Sequence, residues 1–225
     1  GDLDPLRDAA ARHGMVIVMG MHELDSTYSG STLFNTVVAI GDDGAILNTH
    51  RKLMPTNPER MVWGAGDASG LRVVDTKFGR LGCLLCWENY MPLYRTHLYE
   101  QGIEIYCAPT ADGRDAWTAT MRHIALEGRC FVIGCNQFAK RSDYPADYRT
   151  RFGDDPDTVL SRGGSCIAGP LGEFLAGPVF DREEILFAEL DTSELTKAKF
   201  DFDVVGHYAR PDVFELRLKT AGGKD

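Results

Sequence analysis

The sequence predicts an α/β fold in one domain, and three observations support this. The chain has 225 residues, enough for a sizeable core without requiring two domains. Short apolar runs typical of buried strands alternate with segments of helical spacing through the middle of the chain. Its 44% hydrophobic and 25% charged residues are typical of a globular domain. No apolar run is long enough to span a bilayer, so we expect no membrane segment.

Turn and capping signals bound the individual elements. Pro5 in a first helical turn and Gly14 at its end predict a short helix, and Asp43-Gly44 predicts a hairpin turn. The apolar run at 15–20 predicts a strand that is buried on both faces. In chain order the predicted helices and strands lie at 4–14, 15–20, 34–40, 45–49, 71–75, 81–86, 91–101, 103–108, 114–128, 130–135, 165–169, 173–176 and 185–190, with a short helix near Glu194.

Two segments fall outside this alternation. Residues 141–159 are rich in Asp, Pro and Arg and predict a long irregular loop, the kind of segment that often carries function or assembly contacts. The C-terminal tail from about residue 198 includes aromatic residues such as Tyr208 and Phe214, and we expect it to make contacts between subunits.

Charge and cysteine usage limit the partners and the compartment. The net charge of −9 and the absence of a basic stripe argue against a nucleic-acid partner and favour a small neutral or cationic substrate. Most of the six cysteines lie in apolar runs, as thiols do in a reducing compartment. The first five residues show neither a basic start nor an apolar export segment, so we expect a cytoplasmic protein. The chain also lacks an initiator Met, which suggests processing or a piece of a longer polypeptide.

Cys86 is the first candidate for chemistry. It ends the predicted strand 81–86, at the edge of an α/β sheet where ligands usually bind, and polar residues follow it. A thiol there can act as a nucleophile if its thiolate is stabilised, although a packing cysteine is the simpler interpretation. Cys83 and Cys86 form a CxxC pattern, but a strand would point them to opposite faces, which argues against a redox or zinc site.

The second candidate is the loop at 50–64, which has a basic entrance followed by the carboxylate of Glu59. By composition alone it could be a solvated charge cluster. Considered together, however, this loop and the segment 84–93 resemble the lysine and cysteine motifs of nitrilases, in the same order and at a similar separation. The segments at 108–112, 120–132 and 200–212 extend the resemblance to nearly the whole chain, within the nitrilase branch of the carbon-nitrogen hydrolases.

The resemblance implies a four-layer αββα sandwich and the hydrolysis of a nitrile to the carboxylic acid and ammonia. It implies that Cys86 is the nucleophile and that the intermediates are a thioimidate and a thioester. Lys52 and the backbone amide of Trp87 would stabilise developing negative charge, and Glu59 would orient Lys52 and the hydrolytic water. No cofactor or metal is implied, and homo-oligomers, either dimers or spirals, are expected. The residues expected to contact the substrate are Trp87, Glu88, Tyr90 and Thr110.

The general base is not accounted for by these residues. The resemblance implies a glutamate in a segment that would precede Gly1, together with the first two strands and helices of the fold. We therefore expect this chain alone to be weakly active or inactive, with a hydrophobic face uncovered. Glu23, at the end of an early strand, is a second candidate for the base, although it resembles a different, non-catalytic position of the family.

Three alternatives remain open at this stage. Hydration of a nitrile or of cyanide to the amide uses the same thioimidate, and amidase activity is also compatible with the fold. From another class, the chain could be an inactive scaffold that retains the fold.

His123 and Glu127 lie one helical turn apart and predict an ordinary i, i+4 contact.

Overall fold

A computed structural model describes residues 1–27 and 29–219. The sequence predicts one domain, and the chain forms two compact units: Gly1–Cys107 together with Asp203–Asp225, and Ala108–Phe202. Within the described ranges, no helix combines the length and the apolar character needed to cross a bilayer.

The first unit begins with a helix packed on an antiparallel sheet. The elements are α1 (Asp4–His13), β1 (Ile17–Leu24), β2 (Leu33–Ile40) and β3 (Ile46–Arg51), with strand order β1-β2-β3. Helix α1 ends at Gly14, whose φ of 60° suits glycine, and its core contact joins Ala10 to Val38 and Ile40. The predicted helix and hairpin are confirmed. The prediction that 15–20 is buried on both faces is wrong, because Met15 is 43% and Met19 is 38% exposed. Strand β1 is also the edge of this sheet.

The other strands of this unit flank the loop that carries Cys86. They are β4 (Val74–Thr76), β5 (Gly79–Cys83) and β6 (Ile105–Cys107), with helix α2 (Pro92–Glu100) between β5 and β6. Strand β4 pairs antiparallel and β6 pairs parallel with β5. The prediction of a strand through Cys86 is wrong, since β5 ends at Cys83 and a 3-10 helix spans Cys86–Tyr90. The opposite-face argument against a CxxC site therefore loses its premise.

The second unit is organised around one long strand. Its elements are α3 (Asp115–Gly128), β7 (Phe131–Gly134), β8 (Phe138–Lys140), β9 (Val159–Ala168), β10 (Phe174–Phe180) and α4 (Ser193–Ala198). Strand β9 pairs antiparallel with β7, β8 and β10. The predicted strand at 185–190 is wrong: the segment has no strand assignment, and Ile185 and Phe187 are 79% and 83% exposed. An apolar run becomes a strand only when another backbone is available to pair with it.

The irregular segment predicted at 141–159 is confirmed, apart from a single 3-10 turn at Arg141–Asp143 and the start of β9. One buried side chain organises it. The guanidinium of Arg141 donates to four carbonyl oxygens of the loop, those of Tyr144, Pro145, Ala146 and Tyr148. The loop therefore has a defined path despite its lack of strands.

Candidate active site

The backbone around Lys52 is fixed on both sides. Lys52 follows β3 directly, its amide donates to the carbonyl of Asn35 at 2.8 Å, and its own carbonyl accepts from the amide of Gly66 at 2.8 Å. A Cβ at Gly66 would lie 2.2 Å from the carbonyl oxygen of Arg51, so only glycine permits this approach. The backbone position of Lys52 is thus set by main-chain contacts.

The Lys52 ammonium is buried beside a carboxylate. Its Nζ donates to Oε2 of Glu59 at 2.7 Å and to Oγ1 of Thr56 at 2.9 Å, and the residue is only 2% exposed. An ammonium has three donors, so one N–H is left without a partner among the described residues. Glu59 in turn accepts from the Thr56 amide at 2.6 Å, which holds its Oε2 in place. The arrangement presents one fixed cationic donor to a ligand.

Sequence reasoning missed the role of Thr56, although a signal was present. Thr56 and Glu59 have the spacing of an N-terminal capping box, in which a hydroxyl residue is followed three positions later by a glutamate. Pro58 lies in the first turn of the resulting 3-10 helix, Asn57–Met61. The same pattern that starts the helix therefore places both partners of the Lys52 ammonium.

Cys86 has a backbone conformation that is unusual for a residue with a side chain. Its φ is 51°, in the left-handed region, and the residue is half-buried. The Nδ2 of Asn89 donates to the carbonyls of Leu84 at 3.0 Å and of Cys86 at 2.8 Å. These bonds hold the turn after β5 closed. Strained backbone maintained by its surroundings is a common feature of functional sites.

Glu88 connects the two loops. Its Oε1 accepts from the amide of Leu53 at 2.7 Å, and its Oε2 accepts from the amide of Leu85 at 2.8 Å. Leu53 follows Lys52 and Leu85 precedes Cys86, so one carboxylate joins the neighbours of both predicted catalytic residues. Glu88 is only 3% exposed. This geometry favours a positioning role for Glu88 over the predicted contact with substrate.

Burial separates Cys86 from most of the other cysteines. No cysteine forms a disulfide. The hydrogen bond that Cys83 makes with Cys107, followed by burial, raises the pKa of Cys83 well above its ordinary value, and burial raises the pKa of Cys130 and of Cys166 to about 12. Those three thiols remain protonated at neutral pH and are poor nucleophiles. Cys86 is half-buried and Cys135 is exposed, so these two are the accessible thiols.

Comparison with known proteins identifies the family. The family model described as carbon-nitrogen hydrolase matches residues 2–200. The chain belongs to this family, in its nitrilase branch. It is 53% identical over 215 residues to an aliphatic nitrilase of Sinorhizobium fredii, with 96% of this chain and 68% of the relative covered. It is 50% identical over 222 residues to a bifunctional nitrilase/nitrile hydratase of Nicotiana tabacum, with 97% and 63% covered.

The predicted fold class is confirmed by a solved structure of the same family. The carbon-nitrogen hydrolase of Helicobacter pylori G27 matches with a TM-score of 0.74 at 24% identity, over 89% of this chain and 70% of that one. At that identity the match concerns the fold alone. The chain spans about two thirds of the length of the curated relatives that it matches.

The other residues expected to contact the substrate in this carbon-nitrogen hydrolase occupy different surroundings. Trp87 is 40% exposed, and its ring meets that of Tyr90 edge-on at 6.1 Å between centroids. Both lie in the 3-10 helix that begins at Cys86. Thr110 lies in the second unit, where its amide donates to the carbonyl of Cys135 and its hydroxyl accepts from the amide of Asp112. Among residues 1–27 and 29–219, no group of three His, Cys, Asp or Glu residues could hold a metal ion.

Glu23 is held in an ion pair, which makes it a weak base. The Arg51 guanidinium donates to both of its oxygens, and the Thr36 hydroxyl donates at 2.7 Å. The hydrogen bonds from Arg51 hold the pKa of Glu23 below its ordinary value of 4.5, which favours the ionised form. A general base works best with a pKa near the operating pH, so this carboxylate is poorly suited to the role.

We expect Glu23→Gln to lower the free energy of unfolding at pH 7 by about 1 kcal/mol while leaving turnover largely intact. Because the folded-state pKa is depressed, the ion pair stabilises the protein above pH 4.5, and that contribution is lost as the pH falls through the folded-state pKa. Denaturant unfolding of both proteins between pH 3 and pH 7 should show the difference shrinking in acid.

The matched control for this experiment is Glu215→Gln. Glu215 also pairs with an arginine, Arg217, at 2.7 Å, but both side chains are largely exposed. We expect no measurable change in stability from it. A loss of turnover on the order of 10²-fold or more in Glu23→Gln would instead identify Glu23 as the general base.

Proposed function

We propose that this protein hydrolyses a small-molecule nitrile to the carboxylic acid and ammonia, with Cys86 as the nucleophile and no cofactor. We expect the 225 residues alone to do so weakly, because Glu23 is poorly suited as the general base and the residues at the site leave that role unfilled. The observation that carries the proposal is the buried Lys52 ammonium, held by Thr56 and Glu59 in a loop that shares the Glu88 carboxylate with the Cys86 loop. The nitrilases that the chain resembles at 50% identity or more support the choice of substrate class.

Each step uses a feature of this arrangement. The Cys86 thiol adds to the nitrile: its sulfur bonds to the carbon and its proton is transferred to the nitrogen, which gives a thioimidate. Negative charge that develops on nitrogen is stabilised by the unpaired N–H of Lys52 and by the backbone amide of Trp87. Water then adds to the thioimidate carbon and ammonia leaves. A second water hydrolyses the thioester, which releases the acid and regenerates the thiol.

Glu59 serves both the cation and the water. Its Oε2 is occupied by Lys52 and Thr56, whereas its Oε1 has no partner among the described residues, and the side chain is 32% exposed. Oε1 is therefore available to accept a hydrogen bond from the attacking water. The ion pair also fixes the direction of the Lys52 ammonium.

The second candidate function is hydration of the nitrile, or of cyanide, to the amide. Both reactions share the tetrahedral intermediate formed when water adds to the thioimidate. Loss of ammonia from it leads to the acid, and loss of the thiolate leads to the amide. The tobacco relative is named for both activities, which is the specific reason to keep this candidate.

We expect ammonia and carboxylate to form in equal amounts and to exceed the amide when the chain is given a simple aliphatic nitrile. Quantifying all three products from one reaction checks this. An excess of amide would favour the hydratase function. If neither acid nor amide forms and Cys86 carries no covalent adduct, both functions are contradicted and an inactive scaffold is favoured. Cleavage of amides without any reaction of nitriles would indicate an amidase.

We further propose that the protein acts in the cytoplasm as a homo-oligomer, a dimer or a spiral. Six cysteines without a disulfide support a reducing compartment. The tail supports assembly, because Tyr208 is 61% and Phe214 is 80% exposed, and exposed aromatic side chains favour contacts between proteins. Residues 220–225 of the tail lie outside the described residues.

A further inference from the structure

A buried histidine completes the connection between the two loops. His50 is 0% exposed, and its Nε2 lies 2.9 Å from Oε2 of Glu88. An ionised carboxylate only accepts hydrogen bonds, so Nε2 carries the proton and donates it. Glu88 thus receives three donors: the imidazole of His50 and the amides of Leu53 and Leu85.

His50 is also fixed from its backbone side. Gly70 packs directly against it: a Cβ at Gly70 would lie 2.3 Å from the carbonyl oxygen of Thr49 and 2.5 Å from the Cα of His50. The side-chain amide of Asn48 donates to the carbonyl of Gly70 at 2.9 Å. His50 belongs to strand β3, and Gly70 packs against its backbone. The imidazole therefore has little freedom to move away from Glu88.

We propose that the His50–Glu88 pair is a positioning device that sets Cys86 relative to Lys52. A buried carboxylate is stable only when donors replace the water that it has lost. Two of its three donors are the backbone amides of Leu53 and Leu85, which adjoin Lys52 and Cys86. The Glu88 carboxylate therefore has all of its hydrogen-bond donors only when both loops are in place. His50 supplies the third donor and fixes the carboxylate between them. The inference rests on the proposed function in that it takes these two residues as the reacting pair.

The test uses two substitutions at His50 that differ in hydrogen bonding. His50→Phe keeps a ring in the buried site but removes the donor, whereas His50→Gln retains an N–H at a similar reach. We expect His50→Phe to lower kcat roughly tenfold to a hundredfold with little change in KM, because misplacement of reacting groups costs rate and not binding. His50→Gln should recover much of the loss. Glu88→Gln should behave as His50→Phe does, because the side-chain NH2 of the glutamine would face the N–H groups that the carboxylate accepts from.

A second measurement does not depend on turnover. Cys86 and Cys135 are the accessible thiols, so Cys135 can serve as an internal reference for Cys86. The measured quantity is the ratio of the iodoacetamide alkylation rates of Cys86 and Cys135, obtained by peptide mass spectrometry at several pH values. We expect that ratio to fall about tenfold in His50→Phe, because the Lys52 ammonium, which we propose lies beside the Cys86 sulfur, would no longer be held in place there. His50→Gln should restore it.

The matched controls are His123→Phe and Glu127→Gln, a pair of the same residue types whose His123 side chain is 63% exposed and whose atoms lie 3.7 Å apart. They should leave kcat and the alkylation ratio unchanged. The inference is overturned if His50→Phe leaves both quantities unchanged, if His50→Gln fails as badly as His50→Phe, or if buried Cys130 and Cys166 become alkylated as well. If the unmodified chain gives neither product nor a covalent adduct on Cys86 with a nitrile, the proposed function fails, while the alkylation ratio still reports on the pair.

Discussion

Cys86→Ala is expected to abolish nitrile turnover, by about 10⁴-fold or to background, and to remove covalent labelling by an electrophilic nitrile. The reason is that Cys86, alone among the six cysteines, which all lie within the described residues, is in the loop that Glu88 joins to the Lys52 loop. Cys83, Cys130 and Cys166 have raised pKa values and are buried. Ala is about as strained as Cys at a φ of 51°, so the substitution leaves the cost of the turn unchanged.

The measurement is steady-state turnover together with intact-protein mass after incubation with the nitrile. Cys135→Ser is the matched control, because it removes the other accessible thiol and should leave both readings as they were. An adduct that persists in Cys86→Ala and disappears in Cys135→Ser would assign the nucleophile to the second unit. Indifference of every assay to both substitutions would support a scaffold.

Lys52→Met is expected to lower kcat by about 10²-fold to 10³-fold, the size of effect seen when one donor to a developing anion is removed. Methionine has a similar length and suits a site that is only 2% exposed, so the loss concerns charge more than packing. The Glu59 carboxylate that it leaves behind is 32% exposed and can be hydrated. Lys52→Arg should not rescue activity, since a planar guanidinium does not fit the space of an ammonium held by Thr56 and Glu59.

The control for this substitution is Lys77→Met. Lys77 also forms an ion pair, with Asp42 at 2.8 Å, but its side chain is 48% exposed. Turnover should be unaffected. Single-turnover kinetics then separates the steps: if Lys52→Met forms the Cys86 adduct at the normal rate and only releases ammonia slowly, Lys52 acts after the addition step. Turnover at the normal rate in Lys52→Met would remove Lys52 from the mechanism.

Local signals in the sequence predicted much of the first unit. Gly14 and Asp43-Gly44 fix a helix end and a turn through backbone conformations that few other residues adopt, and both predictions are confirmed. Predictions that depended on distant partners were less successful. The apolar runs at 15–20 and 185–190 indicate extended chain, but they carry no information about which faces have neighbours. One became an edge strand, and the other forms no strand.

The candidate site shows the same division. Lys52 and Cys86 stood out through motifs, and the capping-box spacing of Thr56 and Glu59 could have been read as the source of the lysine's partners. Glu88 was different. Its position next to Trp87 suggested a contact with substrate, and nothing in the sequence indicates that its oxygens accept from amides 35 and 3 residues away. That assignment requires the path of both loops in three dimensions.

The carboxylate shared between the two loops has a consequence for recombining this protein with its relatives. A chimera with its crossover between residues 60 and 80 would inherit the lysine loop from one parent and the cysteine loop from the other. The His50 imidazole and the Leu53 amide would then come from one parent and the Leu85 amide from the other, and an insertion in either parent would displace its donor from the Glu88 carboxylate. Exchanges that move residues 50–90 as one block should yield folded, reactive hybrids far more often than exchanges that split it.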